Sequence, residues 1–227
     1  MNFEIKGDTF PVLICNLNEG ESMANQQGAM AWMSPNMKMS TNAGNGIGKF
    51  FSRAISGESV FQNIYTAEKG NGMIAYSSSF PGTILPIQIS SARSIIAQKT
   101  AFLASQPTVN FEVFFQKKFG SGFFGGEGFI MQKFTGDGML FLEIDGSIIE
   151  YDLAPNQSIL VDTGYLAAAD STISIDIESV KGIGNVLFGG EGLFNTRITG
   201  PGHIWLQTMP ITQFASSMSK YIVKSNG

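Results

Sequence analysis

The chain is poor in the residues from which most active sites are built. Its 227 residues include one cysteine and one histidine. Cys15 alone cannot form an intramolecular disulfide, and it lies in an apolar run where a buried, inert thiol is expected. Zinc held by Cys and His within one chain is excluded, because such a site needs three or four ligands. His203 follows Gly202 at the start of an apolar segment, where a structural role is expected. Charge is scarce as well. Asp, Glu, Lys and Arg make up 14% of the chain, against about 25% in ordinary domains. The net charge is −4 with a pI near 5.0, and the densest basic spots, Lys117-Lys118 and Lys220 to Lys224, are short. Nucleic acid is therefore not an expected partner, since phosphate binding is driven by clustered Lys and Arg. No Gly-x-x-x-x-Gly-Lys-Ser/Thr and no Gly-x-Ser-x-Gly occurs. No apolar run approaches the roughly 18–20 residues of a spanning helix. Met1-Asn-Phe-Glu-Ile-Lys-Gly7 lacks the pattern of a secretory signal, so a cytoplasmic location is expected.

What the chain does have is apolar mass and glycine. Apolar residues make up 43%, with 19 Phe, 11 Met and 27 Gly. So much apolar material with so little charge implies more apolar surface than a solitary domain tolerates. A homo-oligomer is the expectation.

The glycines punctuate a repeated motif. Leu187-Phe-Gly-Gly-Glu-Gly-Leu-Phe194 nearly copies Phe123-Phe-Gly-Gly-Glu-Gly-Phe-Ile130, and Ile55-Ser-Gly-Glu-Ser-Val-Phe61 is a weaker third version. A Gly-x-Gly follows each: Gly70-Asn-Gly72, Gly136-Asp-Gly138 and Gly200-Pro-Gly202. The register extends upstream. Ser22, Ser94 and Ser158 open matching heptapeptides, Ser94 standing 72 residues after Ser22 and Ser158 standing 64 after Ser94. Phe10–Leu17, Gly82–Ile89 and Gly146–Leu153 each begin twelve residues before the shared serine. A fixed period held across several segments is the mark of an internal repeat. We expect one compact domain over 1–227, built of three repeats at about 8–81, 82–145 and 146–210.

Each repeat reads as short strands. Thr172-Ile-Ser-Ile-Asp-Ile-Glu178 alternates apolar and polar residues, the signature of a half-buried strand. Val109–Phe115, Met37-Lys-Met39, Met139–Ile144 and His203–Gln207 are read the same way. Asp145-Gly146 has the composition of a hairpin turn. Two places depart from the β pattern. Ile47, Phe50, Phe51 and Ala54 have helical spacing over 48–56. Phe214, Met218, Tyr221 and Ile222 form an apolar stripe on a C-terminal helix at 212–223, with Thr212 as its N-cap. The fold class is therefore all-β: triplicated sandwich-like units with pseudo-three-fold symmetry, plus a short terminal helix.

Gly120-Ser-Gly-Phe-Phe-Gly125 matches Gly-x-Gly-x-x-Gly, but Gly126-Glu-Gly128 follows where a nucleotide site needs a helix. Glu58, Glu127 and Glu191 hold the same place in each repeat and are the candidate polar positions. Converging, they could bind a cation or raise one another's pKa. Held apart, each would accept hydrogen bonds from the amides of its own glycine turn, the preferred reading. No catalytic residue, cofactor or metal is assigned.

On Ser56-Gly-Glu-Ser-Val-Phe61, Phe124-Gly-Gly-Glu-Gly128 and Phe188-Gly-Gly-Glu-Gly192, with the Gly-x-Gly turns and Phe80-Pro-Gly82, the chain resembles bacterial and archaeal relatives of the "altered inheritance of mitochondria" family. The resemblance covers about residues 3–222. It implies a fold similar to the tryptophan RNA-binding attenuation protein, three double-stranded β-helix-like units about a pseudo-three-fold axis. It brings no catalytic residues. The family adds a protein or membrane-associated partner as an expectation. Three functions follow in order: a non-enzymatic structural or interaction protein that self-associates, a small-ligand-binding module with an apolar cavity, and an enzyme using the repeated Glu residues.

Overall fold

A computed structural model describes residues 1–41, 62–117, 128–179, 194–219 and 221. Among the described residues the chain is all-β apart from one short α-helix and two single turns of 3-10 helix. After β1 (Asn2–Lys6), six strands follow: β2 (Val12–Leu17), β3 (Ser22–Gln26), β4 (Met30–Met33), β5 (Met37–Thr41), β6 (Gln62–Ala67) and β7 (Gly72–Ser77). All pair antiparallel. β7 lies between β2 and β4, and β6 between β3 and β5.

The next six strands are β8 (Gly82–Ile89), β9 (Ile95–Gln98), β10 (Phe102–Ser105), β11 (Val109–Lys117), β12 (Phe129–Gly136) and β13 (Gly138–Asp145). Here β13 lies between β8 and β10, and β12 between β9 and β11. The last six are β14 (Ile148–Leu153), β15 (Ser158–Asp162), β16 (Leu166–Asp170), β17 (Ser174–Ser179), β18 (Phe194–Thr199) and β19 (Gly202–Gln207). β19 lies between β14 and β16, and β18 between β15 and β17. Register recurs with the pairing: Leu17, Ile89 and Leu153 stand opposite Gly72, Gly138 and Gly202. A bulge recurs too, between Met30 and Trp32, Phe102 and Ala104, and Leu166 and Ala168.

Two further pairings join these sets. β3 pairs with β10, Asn25 opposite Ala104 and Ala24 opposite Ser105. β9 pairs with β16, Ala97 opposite Ala168, Ile96 opposite Ala169 and Ile95 opposite Asp170. The sheets thus run β1-β2-β7-β4, β5-β6-β3-β10-β13-β8, β11-β12-β9-β16-β19-β14 and β15-β18-β17. The core crosses the same seams. Leu13, Cys15, Met23 and Tyr76 pack with Leu103, Ala104 and Phe141. Phe134 and Leu140 pack with Ala167, Ala168 and Trp205. Ile96, Phe129 and Met131 pack with Leu166, Ile198 and Ile204.

The strands expected at 37–39, 109–115, 139–144, 172–178 and 203–207 are present as β5, β11, β13, β17 and β19. Asp145-Gly146 is not a hairpin. β13 and β14 belong to different sheets, and Gly146, at φ +78, turns the chain from one to the other. Helix α1 spans Ile211–Ser219, so Thr212 is not its N-cap. The Asp145 carboxylate, 66 residues back in sequence, accepts the hydrogen bond from the first helical N–H, that of Ile211, at 2.8 Å. Phe214 packs edge-on against Phe80 at 5.1 Å. The helix expected at 48–56 lies outside the described residues.

The Gly-x-Gly turns separate conformation from crowding. Gly70 and Gly136 have φ of +111 and +103. A Cβ at Gly136 would stand 2.2 Å from the Thr108 carbonyl, whereas at Gly70 nothing lies within 4 Å. Gly136→Ala should therefore cost about 3 kcal/mol or more, and Gly70→Ala about 1 kcal/mol from backbone strain alone. Denaturant unfolding of both variants checks this, and equal losses would contradict it.

Candidate functional site

Glu58, Glu127 and Glu191 all lie outside the described residues. Phe129 is buried in the core and Phe194 is partly buried against it. One concavity lies beside α1, a cavity of about 230 Å³ lined by Gln98, Phe129, Asp145, Gly164, Gln207 and Ile211 among others.

Its polar groups are turned toward one another. Gln98 Nε2 donates to the carbonyls of Gly164 and Leu166. Gln207 Nε2 donates to the Gly164 carbonyl at 2.8 Å, while its Oε1 accepts from the Asp145 amide at 3.1 Å. Burial pushes the Asp145 carboxyl above its ordinary pKa, and the Ile211 amide opposes that shift. These bonds fix α1 and the β13-to-β14 crossing.

Glu143 plays the Gln207 part at the preceding seam. It is nearly buried on β13, and its Oε2 accepts from the Ser79 amide at 2.7 Å, Ser79 Oγ at 2.9 Å and Ser78 Oγ at 3.1 Å. Burial raises its pKa, and the serine hydrogen bonds only partly offset this. The signal in the sequence was a lone carboxylate inside the apolar run Met139–Ile144.

His203 sits in a surface network. Its Nδ1 is 2.7 Å from Asp152 Oδ1 and its Nε2 is 2.8 Å from Glu150 Oε2. The His203 amide donates to Asp170 Oδ2 at 2.9 Å, and Arg93 Nε lies 3.6 Å from the other Asp170 oxygen. With a carboxylate on each ring nitrogen, His203 has none free to take a proton from a nucleophile. The two carboxylates flank opposite sides of the ring and do not converge. Among the described residues no group of three His, Cys, Asp or Glu side chains is placed to hold a metal ion. Cys15 is fully buried and its thiol is pushed up to about 12 by burial.

These sites are bonds between strands, and comparison with known proteins identifies the family of the chain. The sequence pattern of the mitochondrial biogenesis AIM24 family matches residues 3–209. The chain belongs to the AIM24 family. An uncharacterized protein of Streptococcus pyogenes serotype M6 is 28% identical over 225 residues, covering 96% of this chain and 89% of its own. A crystal structure of a Streptococcus pyogenes protein, a structural-genomics target, superposes with a TM-score of 0.78 at 25% identity, over 97% of this chain and 99% of that one. No helix among the described residues of this AIM24 chain is long and apolar enough to cross a membrane.

Two outcomes follow. Because burial holds the folded pKa of Glu143 high, its stability contribution is complete at acid pH and lost as pH rises through that pKa. Glu143→Gln, which copies Gln207, should match or exceed the parent's Tm at neutral pH and lose that advantage in acid; a lower Tm at neutral pH contradicts this. For His203, burial pulls the pKa down but the hydrogen bonds to Asp152 and Glu150 carry it above 6.5. Its contribution is full below the unfolded pKa and fades as pH rises through the folded one. The single histidine resonance in NMR should titrate above 6.5, and a midpoint at or below 6.5 contradicts the network.

Proposed function

We propose that this AIM24-family chain is a non-enzymatic interaction protein, three tandem copies of one six-stranded unit, that self-associates through apolar β surface. The carrying observation is Trp32-Met33 on β4, 48% and 37% exposed. Successive strand residues point to opposite faces, so both faces of this strand are uncovered. Phe114, Ile149, Tyr151 and Leu160 are further exposed apolar residues on the edge strands of other sheets. The chemistry of the polar residues supports the same reading. Gln98, Gln207, Glu143 and His203 are engaged by partners within the protein. The cavity beside α1, at about 230 Å³, falls below the roughly 300–1,000 Å³ of ordinary ligand pockets, and the hollow of about 410 Å³ at Asn36, Met39 and Glu68 is shallow and open to solvent, so neither favours a small-ligand-binding module. The acidic balance continues to argue against a nucleic-acid partner.

Sedimentation velocity from low micromolar concentration upward tests the proposal. Species heavier than one 24.4 kDa chain are expected, growing with concentration. A particle of one chain at every concentration contradicts self-association.

A further inference from the structure

Resting on that self-association, we infer that the joint is head-to-tail: the free edge of β4 in one copy pairs antiparallel with the free edge of β15 in the next. The template is within the chain. β3·β10 and β9·β16 are the same contact in the same register, Asn25 and Ala97 opposite Ala104 and Ala168, then Ala24 and Ile96 opposite Ser105 and Ala169. By the recurring bulge and pairings, the next members of these two series are Trp32-Met33 on β4 and Leu160-Val161 on β15. Among the described residues β4 pairs only with β7, and β15 only with β18. The two sheets that hold them are incomplete in complementary ways. Joining β4 to β15 gives the order β17-β18-β15-β4-β7-β2, the counterpart of β11-β12-β9-β16-β19-β14, with β1 added at the end.

The register predicts Val161 opposite Trp32 and Leu160 opposite Met33. Trp32, Met33 and Leu160 are 48%, 37% and 49% exposed, whereas the eight residues at the matching internal positions are 2% exposed or less. A second observation singles out these two edges. Sheets avoid unwanted edge pairing by placing charges or proline on their outer strands. The other outer strands do so: β1 carries Glu4 and Lys6, β5 Lys38, β8 Pro86, β11 Glu112 and Lys117, β14 Glu150 and Asp152, and β17 Asp176 and Glu178. β4 reads Met30-Ala-Trp-Met33 with no charge, and β15 reads Ser158-Ile-Leu-Val-Asp162, charged only at its end and outside the predicted register. An edge left unguarded at both ends of a series of identical joints fits a second copy of this chain. The two surfaces differ, so the contact is heterologous and continues until a ring closes or the assembly extends.

Full-length Trp32→Lys and Leu160→Lys variants test this by light scattering coupled to size exclusion. Each variant alone should have the mass of one chain, since each has lost one half of the joint. Mixed in equal amounts they should form a complex of two chains and no more: the Leu160→Lys copy offers an intact β4, and the Trp32→Lys copy an intact β15. Near-UV circular dichroism verifies the fold, and Met33→Lys with Val161→Lys provides a second pair if either first variant misfolds. If wild type assembles and the variants assemble as well, or if mixing them restores nothing, the edge joint is overturned while self-association stands. A wild type with the mass of one chain at all concentrations overturns both.

Discussion

Two short antiparallel contacts, β3 on β10 and β9 on β16, bear the rest of the fold. Strand N–H and C=O groups that are removed from water must find partners, and here those partners lie in a different stretch of the chain. Each contact merges two half-sheets into one sheet of six strands. The residues along them are mostly small, Ala24, Ala97, Ala104, Ser105, Ala168 and Ala169, and all are buried. Small side chains let the apolar clusters on either side close over the seam, which is why each cluster draws on both flanking sets of strands.

The polar residues follow from the same constraint. Where the chain leaves one set of strands for the next, its backbone cannot be paired by a sheet, so side chains supply the acceptors. Glu143 takes the Ser79 amide, Gln207 the Asp145 amide, and Asp145 the first amide of α1. The buried carboxylate of Glu143 and the doubly bonded His203 are both engaged in hydrogen bonds between segments distant in sequence.

The local half of this was legible in the sequence. Alternation in Thr172–Glu178 and the glycine-bounded run Met139–Ile144 mark strands that are present, because period-two patterning and turn glycines are local signals. The fixed spacing of Ser22, Ser94 and Ser158 corresponds to strands β3, β9 and β15, which hold matching places in the pairing scheme. What eluded the sequence is long-range. Nothing near Asp145-Gly146 tells that the next strand joins another sheet. Nothing near Ile211 tells that its amide finds a carboxylate 66 residues earlier. The edge character of β4 is also invisible locally, since an apolar run such as Met30–Met33 reads as core until its neighbours are known. The repeated Glu58, Glu127 and Glu191 fall outside the described residues, and the site residues that can be described were reachable only as polar interruptions of apolar strands.

One strand-to-strand joint occurs twice within the chain, and the proposed third joins it to another copy. Amide hydrogen exchange, compared between dilute and assembled wild-type protein, tests it most directly. Exchange should slow on assembly along Ala31–Met33 and Ile159–Val161, with the outer strands β8 and β14 unchanged. Exchange at those two edges that is indifferent to assembly, or protection gained along β8 or β14 instead, would contradict it.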